Sequence, residues 1–327
     1  MKTLFRGLLI AVVLILALGA VGWLALQRGD IPYDSLEAKY DSPASRYMDL
    51  GGGVRVHYRD EGRRDGPTLV LVHGYAASLH AWEPWVRSLS GDYRVITLDL
   101  PGHGLTRTGP GYAVGREGFG AVVDSVTRRL GAERFTLAGN SMGGGVAWQY
   151  AIDHPERVEG LVLVDAAGWP REGGGGGVLI FNILRHPWGR ALLKNIDTQA
   201  LVRQGLKSAY VDQSLVTPEL VERYVELARA PGHRDTLLSL QSGPRRPASA
   251  QLLSSIKAPT LIMFGQKDTV IPASDGARFA AAIPGSTLIL YPDVGHVPME
   301  QIPDRSASDL KAWLKARVYP AEAAPKP

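Results

Sequence analysis

The 327-residue chain contains no cysteine. Disulfides, thiol nucleophiles and thiolate metal sites are therefore excluded. A basic block is also missing. The 36 Lys and Arg against 32 Asp and Glu leave a formal charge of +4, scattered along the chain, which argues against nucleic acid as a partner. None of the eight histidines falls in an H-E-x-x-H or H-x-H arrangement, so local spacing indicates no histidine-rich metal site. There is no G-x-x-x-x-G-K-[ST] phosphate loop and no internal repeat. No metal, organic cofactor or obligate protein partner is implied.

What is present begins with 21 uncharged, mostly apolar residues between Arg6 and Arg28. A helix of that length is roughly 30 Å long, one hydrocarbon thickness. Lys2 and Arg6 precede it, while Arg28 and Asp30 roughly cancel after it. The positive-inside rule then predicts a membrane anchor with the remainder on the extracytoplasmic side. Ala20-Val21-Gly22 offers a small-x-small cleavage site, so a secreted or periplasmic product is the alternative. The apolar run continues past that site to Leu26, longer than a usual signal segment. Residues 1–28 are thus expected as anchor or signal segment, and 29–46, with Pro32 and Pro43, as a linker or arm.

Strand signals follow at Val54–Tyr58, Thr68–Val72, Arg94–Leu98 and Leu161–Val164, and again at Thr260–Phe264 and Thr287–Leu290. Helical patterns lie between them, the clearest at 116–130, where Phe119, Val122, Val123, Val126 and Leu130 share one face. This alternation predicts an α/β core over 47–168 and 251–318, with a parallel sheet covered on both sides. Residues 169–250 break the rhythm and read as an inserted helical cap. One of its helices should open at Thr217-Pro218-Glu219. Near the start of the cap, Gly173 to Gly177 lead into Val178-Leu179-Ile180-Phe181, read either as a mobile lid edge or as lobe core. The tail 319–327 is expected to be disordered.

The chemistry centres on Gly139-Asn140-Ser141-Met142-Gly143. A strand-like run, Arg134 to Ala138, precedes it, and an apolar helical face built on Val146, Ala147, Tyr150 and Ala151 follows. Strand, G-x-S-x-G and helix in that order form a nucleophile elbow, with Ser141 at the apex of a strained turn. A serine hydroxyl needs a base within reach and a group that orients the base, and in this topology the order is Ser, acid, His. His296, in a loop after the last strand run, is the expected base. Asp268, after Thr260–Phe264, is the expected orienting acid, with Asp165, at the end of Leu161–Val164, as its rival. The oxyanion donors are expected to be the backbone N–H groups of Met142 and Tyr75.

These motifs, together with His73-Gly74-Tyr75, Asp99-Leu100-Pro101-Gly102-His103-Gly104, Gly265-x-x-Asp268 and Gly295-His296, resemble the α/β-hydrolase superfamily in its branch with an inserted helical cap. They span roughly residues 47–318 in the family's order. The resemblance implies a doubly wound, mostly parallel eight-stranded sheet carrying Ser141, Asp268 and His296 as a triad. It also implies a hydrolase of carboxylic esters, with small-molecule and lipid-like esters as substrates. The G-N-S-M-G-G form also resembles C–C bond hydrolases of ring-cleavage products. Cofactor-free haloperoxidases and ligand receptors on the same fold remain further alternatives.

Overall fold

Eight strands form one sheet in the order β1-β2-β4-β3-β5-β6-β7-β8. The structure is a computed structural model that describes residues 2–109, 112, 118–170, 186–242 and 246–320. The strands are β1 (Ser45–Gly51), β2 (Val54–Gly62), β3 (Thr68–Val72), β4 (Arg94–Leu98), β5 (Phe135–Asn140), β6 (Val158–Val164), β7 (Thr260–Gly265) and β8 (Thr287–Tyr291). Strand β2 runs antiparallel to both of its neighbours, and every pair from β4 to β8 is parallel. The central strands are buried on both faces. In β3, Leu69, Val70, Leu71 and Val72 are each at most 1% exposed. Each such side chain contributes about 1.5–3 kcal/mol on burial, which explains why a continuous apolar run, rather than an alternating one, marks these strands.

Helices cover both faces. They include α3 (Glu83–Leu89), α4 (Gly118–Arg129), α5 (Met142–Asp153), α11 (Ala273–Ala282) and α13 (Pro303–Arg317). Between β6 and β7 the described cap residues form α6 (Pro187–Leu193), α7 (Gln199–Ala209), α8 (Pro218–Ala228), α9 (His233–Ser242) and the short α10 (Ala250–Leu253). Helix α8 starts where the sequence places it, with the Thr217 hydroxyl accepting from Leu220 N at 3.2 Å. The glycine run 173–177 and the apolar run Val178–Phe181 lie outside the described residues, as do residues 321–327 of the tail.

Helix α1 (Lys2–Ala25) contains Phe5–Ala25, 21 residues with mean hydropathy 2.8 and none of that window buried. It is long and apolar enough to cross a membrane.

The stretch 29–46, expected as a linker or arm, lies against the folded domain as a strap. It carries α2 (Tyr33–Tyr40), whose one buried residue is Leu36. Ile31, Tyr33 and Tyr40 pack with it against Leu105, Leu227 and Ala230, and polar contacts add to this. Glu37 pairs with Arg107 at 2.7 Å, Lys39 with Glu226 at 2.8 Å, and Tyr40 OH donates to Glu226 at 2.7 Å. Upstream, Arg28 N donates to Asn195 O at 2.7 Å and Arg28 pairs with Asp197 at 3.0 Å. Arg234 donates to Arg28 O at 2.7 Å and pairs with Asp30 at 2.5 Å. The end of α1 is therefore fastened to the cap.

Candidate active site

Ser141 stands between β5 and α5 with φ 54° and ψ −117°. That backbone costs about 1–3 kcal/mol and persists only where the surroundings fix it. Close packing does so here. A Cβ on Gly139 would meet Gly143 O at 2.2 Å, and one on Gly143 would meet Val72 O at 2.2 Å. Three non-glycine residues have positive φ among the described residues: Ala76 (58°), Ser141 (54°) and Asp165 (43°). They follow the adjacent strands β3, β5 and β6, so the strain gathers at one edge of the sheet, where the functional groups meet.

His296 and Asp268 come together as the sequence predicts. His296 Nδ1 donates to Asp268 Oδ2 at 2.7 Å, and both residues are buried. The other oxygen of Asp268 accepts from Val270 N at 2.6 Å and Ile271 N at 2.9 Å, which fixes the carboxylate plane. His296 N donates to Ala209 O at 2.8 Å, so the cap grips the histidine loop. Ser141 is half-buried, and no direct hydrogen bond joins its hydroxyl to the His296 ring. Such bonds are often long in unliganded sites. The link between the two segments is Asn140, whose Nδ2 donates to His296 O at 3.0 Å and to Val164 O at 3.2 Å. The sequence reading missed Asn140. It lies inside the motif, but a single sequence gives no sign of a partner 156 residues away.

Asp165, the rival acid, is fully buried beside the pair. Its carboxyl, the Asp268 carboxyl and the His296 ring present atoms all within 4.8 Å of one another. Its Oδ1 accepts from Gly265 N at 2.9 Å, while Oδ2 has no partner. Burial first, and then the Asp268 charge, push this carboxyl well above the ordinary carboxylate range. Two carboxylates and an imidazole thus meet, but His296 Nδ1 and both Asp268 oxygens are already spent in hydrogen bonds within the protein.

The loop after β3 packs against the elbow. A Cβ on Gly74 would meet Ser141 Cβ at 3.2 Å. Tyr75, the expected second oxyanion donor, is the next residue, and its OH donates to Leu237 O of the cap at 3.0 Å. Met142, the first residue of α5, has no intrahelical acceptor for its N–H. Among the remaining histidines, His73 takes Leu100 N at Nε2 (3.0 Å) and contacts Gly74 O through Nδ1 (2.7 Å). His57 Nδ1 bonds Asp99 Oδ2 at 2.7 Å. Asp99 also accepts from Leu79 N and Leu105 N, so the D-L-P-G-H-G motif braces two loops.

A cavity of about 480 Å³ lies under the cap. Tyr75 and Ala76 line one part of it and Arg28, at the end of α1, another; Leu193, Val202 and Leu237 supply apolar wall. Ser141 itself is not in the wall.

The fold and this edge of the sheet define an α/β hydrolase. The family model described as alpha/beta hydrolase fold matches residues 67–302, and the chain belongs to that family. A hydrolase of Comamonas testosteroni named for 2-hydroxy-6-oxononadienedioate and 2-hydroxy-6-oxononatrienedioate is 31% identical over 279 residues, covering 78% of this chain and 91% of the relative. Among solved structures, a meta-cleavage product hydrolase from Pseudomonas fluorescens superposes with a TM-score of 0.71 at 26% identity, over 83% of this chain and 97% of that one. A membrane phospholipase A described as a bacterial virulence factor superposes equally well, with a TM-score of 0.71 at 25% identity. It covers 98% of this chain and 100% of its own, an alignment that takes in the N-terminal helix.

Proposed function

We propose that the chain is a membrane-tethered serine hydrolase that cleaves carboxylic esters of long acyl chains, phospholipid-like esters among them, on the extracytoplasmic side. Ser141 Oγ attacks the acyl carbon and His296 takes its proton. Asp268 holds the imidazole and stabilises its charged form. The Met142 and Tyr75 amides receive the oxyanion. The alcohol leaves with the proton held by His296. Water, deprotonated by His296, then attacks the acyl-enzyme and releases the carboxylic acid and free Ser141. No step calls for a metal or organic cofactor.

The observation that carries the acyl-lipid reading is the cavity. It spans from Arg28, just after the apolar helix, to Tyr75 and Ala76 of the loop that packs on the elbow, with Leu193, Val202 and Leu237 as apolar wall and charged residues such as Asp197 and Glu226 beside them. An acyl chain drawn from a bilayer would lie against that apolar wall. The 98% coverage by the membrane phospholipase supports the same reading, because the solved meta-cleavage product hydrolases cover 83–84% of the chain. A second reading, C–C hydrolysis of a dienoate diketone, is favoured by the 30–32% identity to those relatives.

Purified full-length protein should be given three substrates: phospholipid vesicles, short water-soluble esters and a 2-hydroxy-6-oxo-dienoate. Fatty-acid release from vesicles supports the first reading. Turnover of the diketone alone supports the second. No sustained turnover of any of the three would point to a ligand receptor on the same fold.

A further inference from the structure

Asp268 offers roughly four lone-pair directions. Three donors occupy three of them: Val270 N, Ile271 N and His296 Nδ1. The remaining direction has no donor, while the nearby Asp165 has a carboxyl oxygen without a partner. Asp165 is 0% exposed, so bulk solvent does not reach its carboxyl. Two buried carboxylates side by side repel strongly, and such pairs settle with one proton between them. Of the two, Asp268 has the three donors that suit an anion. Asp165 accepts a single backbone N–H, from Gly265. Tyr291 of β8 is a further titratable neighbour, and its hydroxyl is spent on Asp309 Oδ2 at 2.9 Å. The backbone supports a built arrangement rather than a leftover residue. Asp165 sits at φ 43°, with its N–H donating to Met263 O at 2.9 Å.

We propose that Asp165 is a positioning residue: it stands as a neutral carboxylic acid whose Oδ2–H donates to the Asp268 carboxylate and completes its hydrogen-bond shell. It acts through Asp268 and touches no substrate. The proton stays on Asp165, so no net transfer occurs during turnover. The bond spreads charge on Asp268 and locks the carboxylate plane that His296 must meet. It also explains how a site with one base can hold two buried acids. The inference rests on Ser141, His296 and Asp268 being the reacting set.

Asp165→Asn and Asp165→Ala separate this role from a merely structural one. Asparagine is neutral, keeps the acceptor for Gly265 N and keeps a donor toward Asp268. It should therefore retain wild-type kcat, KM and pH profile of kcat/KM. Alanine loses the donor. It should lower kcat by about tenfold to a hundredfold, the usual loss when an outer partner of a functional group is removed, with KM unchanged. If Asp165 is instead an anion in the native site, asparagine deletes a buried charge beside His296, and the acid limb of the profile moves to lower pH. That shift, or alanine matching asparagine in kcat, overturns the proposal. Infrared spectroscopy of the full chain near neutral pH reads the same question without turnover and without the alanine variant. In a Glu300→Gln background, which removes the band of the other raised buried carboxyl, a protonated-carboxyl band should be present with Asp165 intact, absent in Asp165→Asn and displaced in Asp268→Asn. Its absence with Asp165 intact overturns the proposal. Failure of the triad itself would register separately, as full turnover in Ser141→Ala.

Discussion

Asn140 Nδ2 lies 3.0 Å from His296 O and donates to it, so the elbow that carries Ser141 and the loop that carries the proposed base are joined one residue from the proposed nucleophile. The same amide donates to Val164 O at 3.2 Å, at the end of β6. One side chain therefore ties together the C-terminal ends of two strands and the histidine loop. Neither acceptor is a side chain, and so no charge pattern in the sequence marks the bond.

Asn140→Ala removes both donors and leaves two buried carbonyls short of a partner. The expected cost is about 1–3 kcal/mol in stability. The histidine loop gains freedom relative to Ser141, so kcat should fall while KM changes little, because misplacement of a reacting group by about 1 Å can cost on the order of 10²-fold. Steady-state kinetics on a soluble ester, together with a melting curve, check both parts. Unchanged kcat with a lowered Tm would reduce Asn140 to a packing role.

Much of this site was legible because its parts are local words in the sequence. The elbow, Gly265-x-x-Asp268 and Gly295-His296 each sit directly after an apolar strand run, and the fold brings those strand ends together. What stayed hidden depends on contacts distant in sequence. Asp165 and Asp268 compete as acids in the sequence but are neighbours in space, sharing one buried corner. The strand β1 was missed because its residues alternate between exposed and half-buried at the sheet edge, with no apolar run. The strap through α2 reads as a linker or arm because its one fully buried apolar residue, Leu36, leaves no hydrophobic period, while Ile31 and its tyrosines pack only partly and ion pairs add the rest.

Glu300 gives the site a pH-dependent seam. It lies in α12 (Pro298–Gln301), four residues beyond His296, and its Oε1 is buried without a partner. Burial pushes its carboxyl up to about 7, opposed by Arg223 of the cap. An unfolded glutamate titrates near about 4.3. Between those values the folded chain holds more proton than the unfolded chain, so stability falls as pH rises from about 4.3 to about 7. Melting temperature against pH should show that decline in wild type and a flatter curve in Glu300→Gln. Identical slopes would remove Glu300 as the cause.

The junction between α1 and the cap makes a further prediction. Deleting residues 1–28 removes the bond from Trp23 Nε1 to Leu192 O (2.9 Å), the Gln27–Ile196 bridge and the Arg28–Asp197 pair. Each bond of this kind contributes about 0.5–1.5 kcal/mol. The triad is untouched, so the truncated protein should be soluble and should turn over short esters near the full-length rate. It should melt a few degrees lower, and cleave vesicle-borne esters more slowly. An unchanged Tm would mean that the cap does not lean on the anchor.

The most direct measurement is fatty-acid release from phospholipid vesicles carrying the reconstituted full-length chain, compared between wild type and Ser141→Ala. The account predicts steady release in wild type and a loss on the order of 10⁴–10⁶ in kcat in the variant, with a fluorophosphonate probe labelling Ser141 in wild type alone. Wild-type release rates in Ser141→Ala would contradict it.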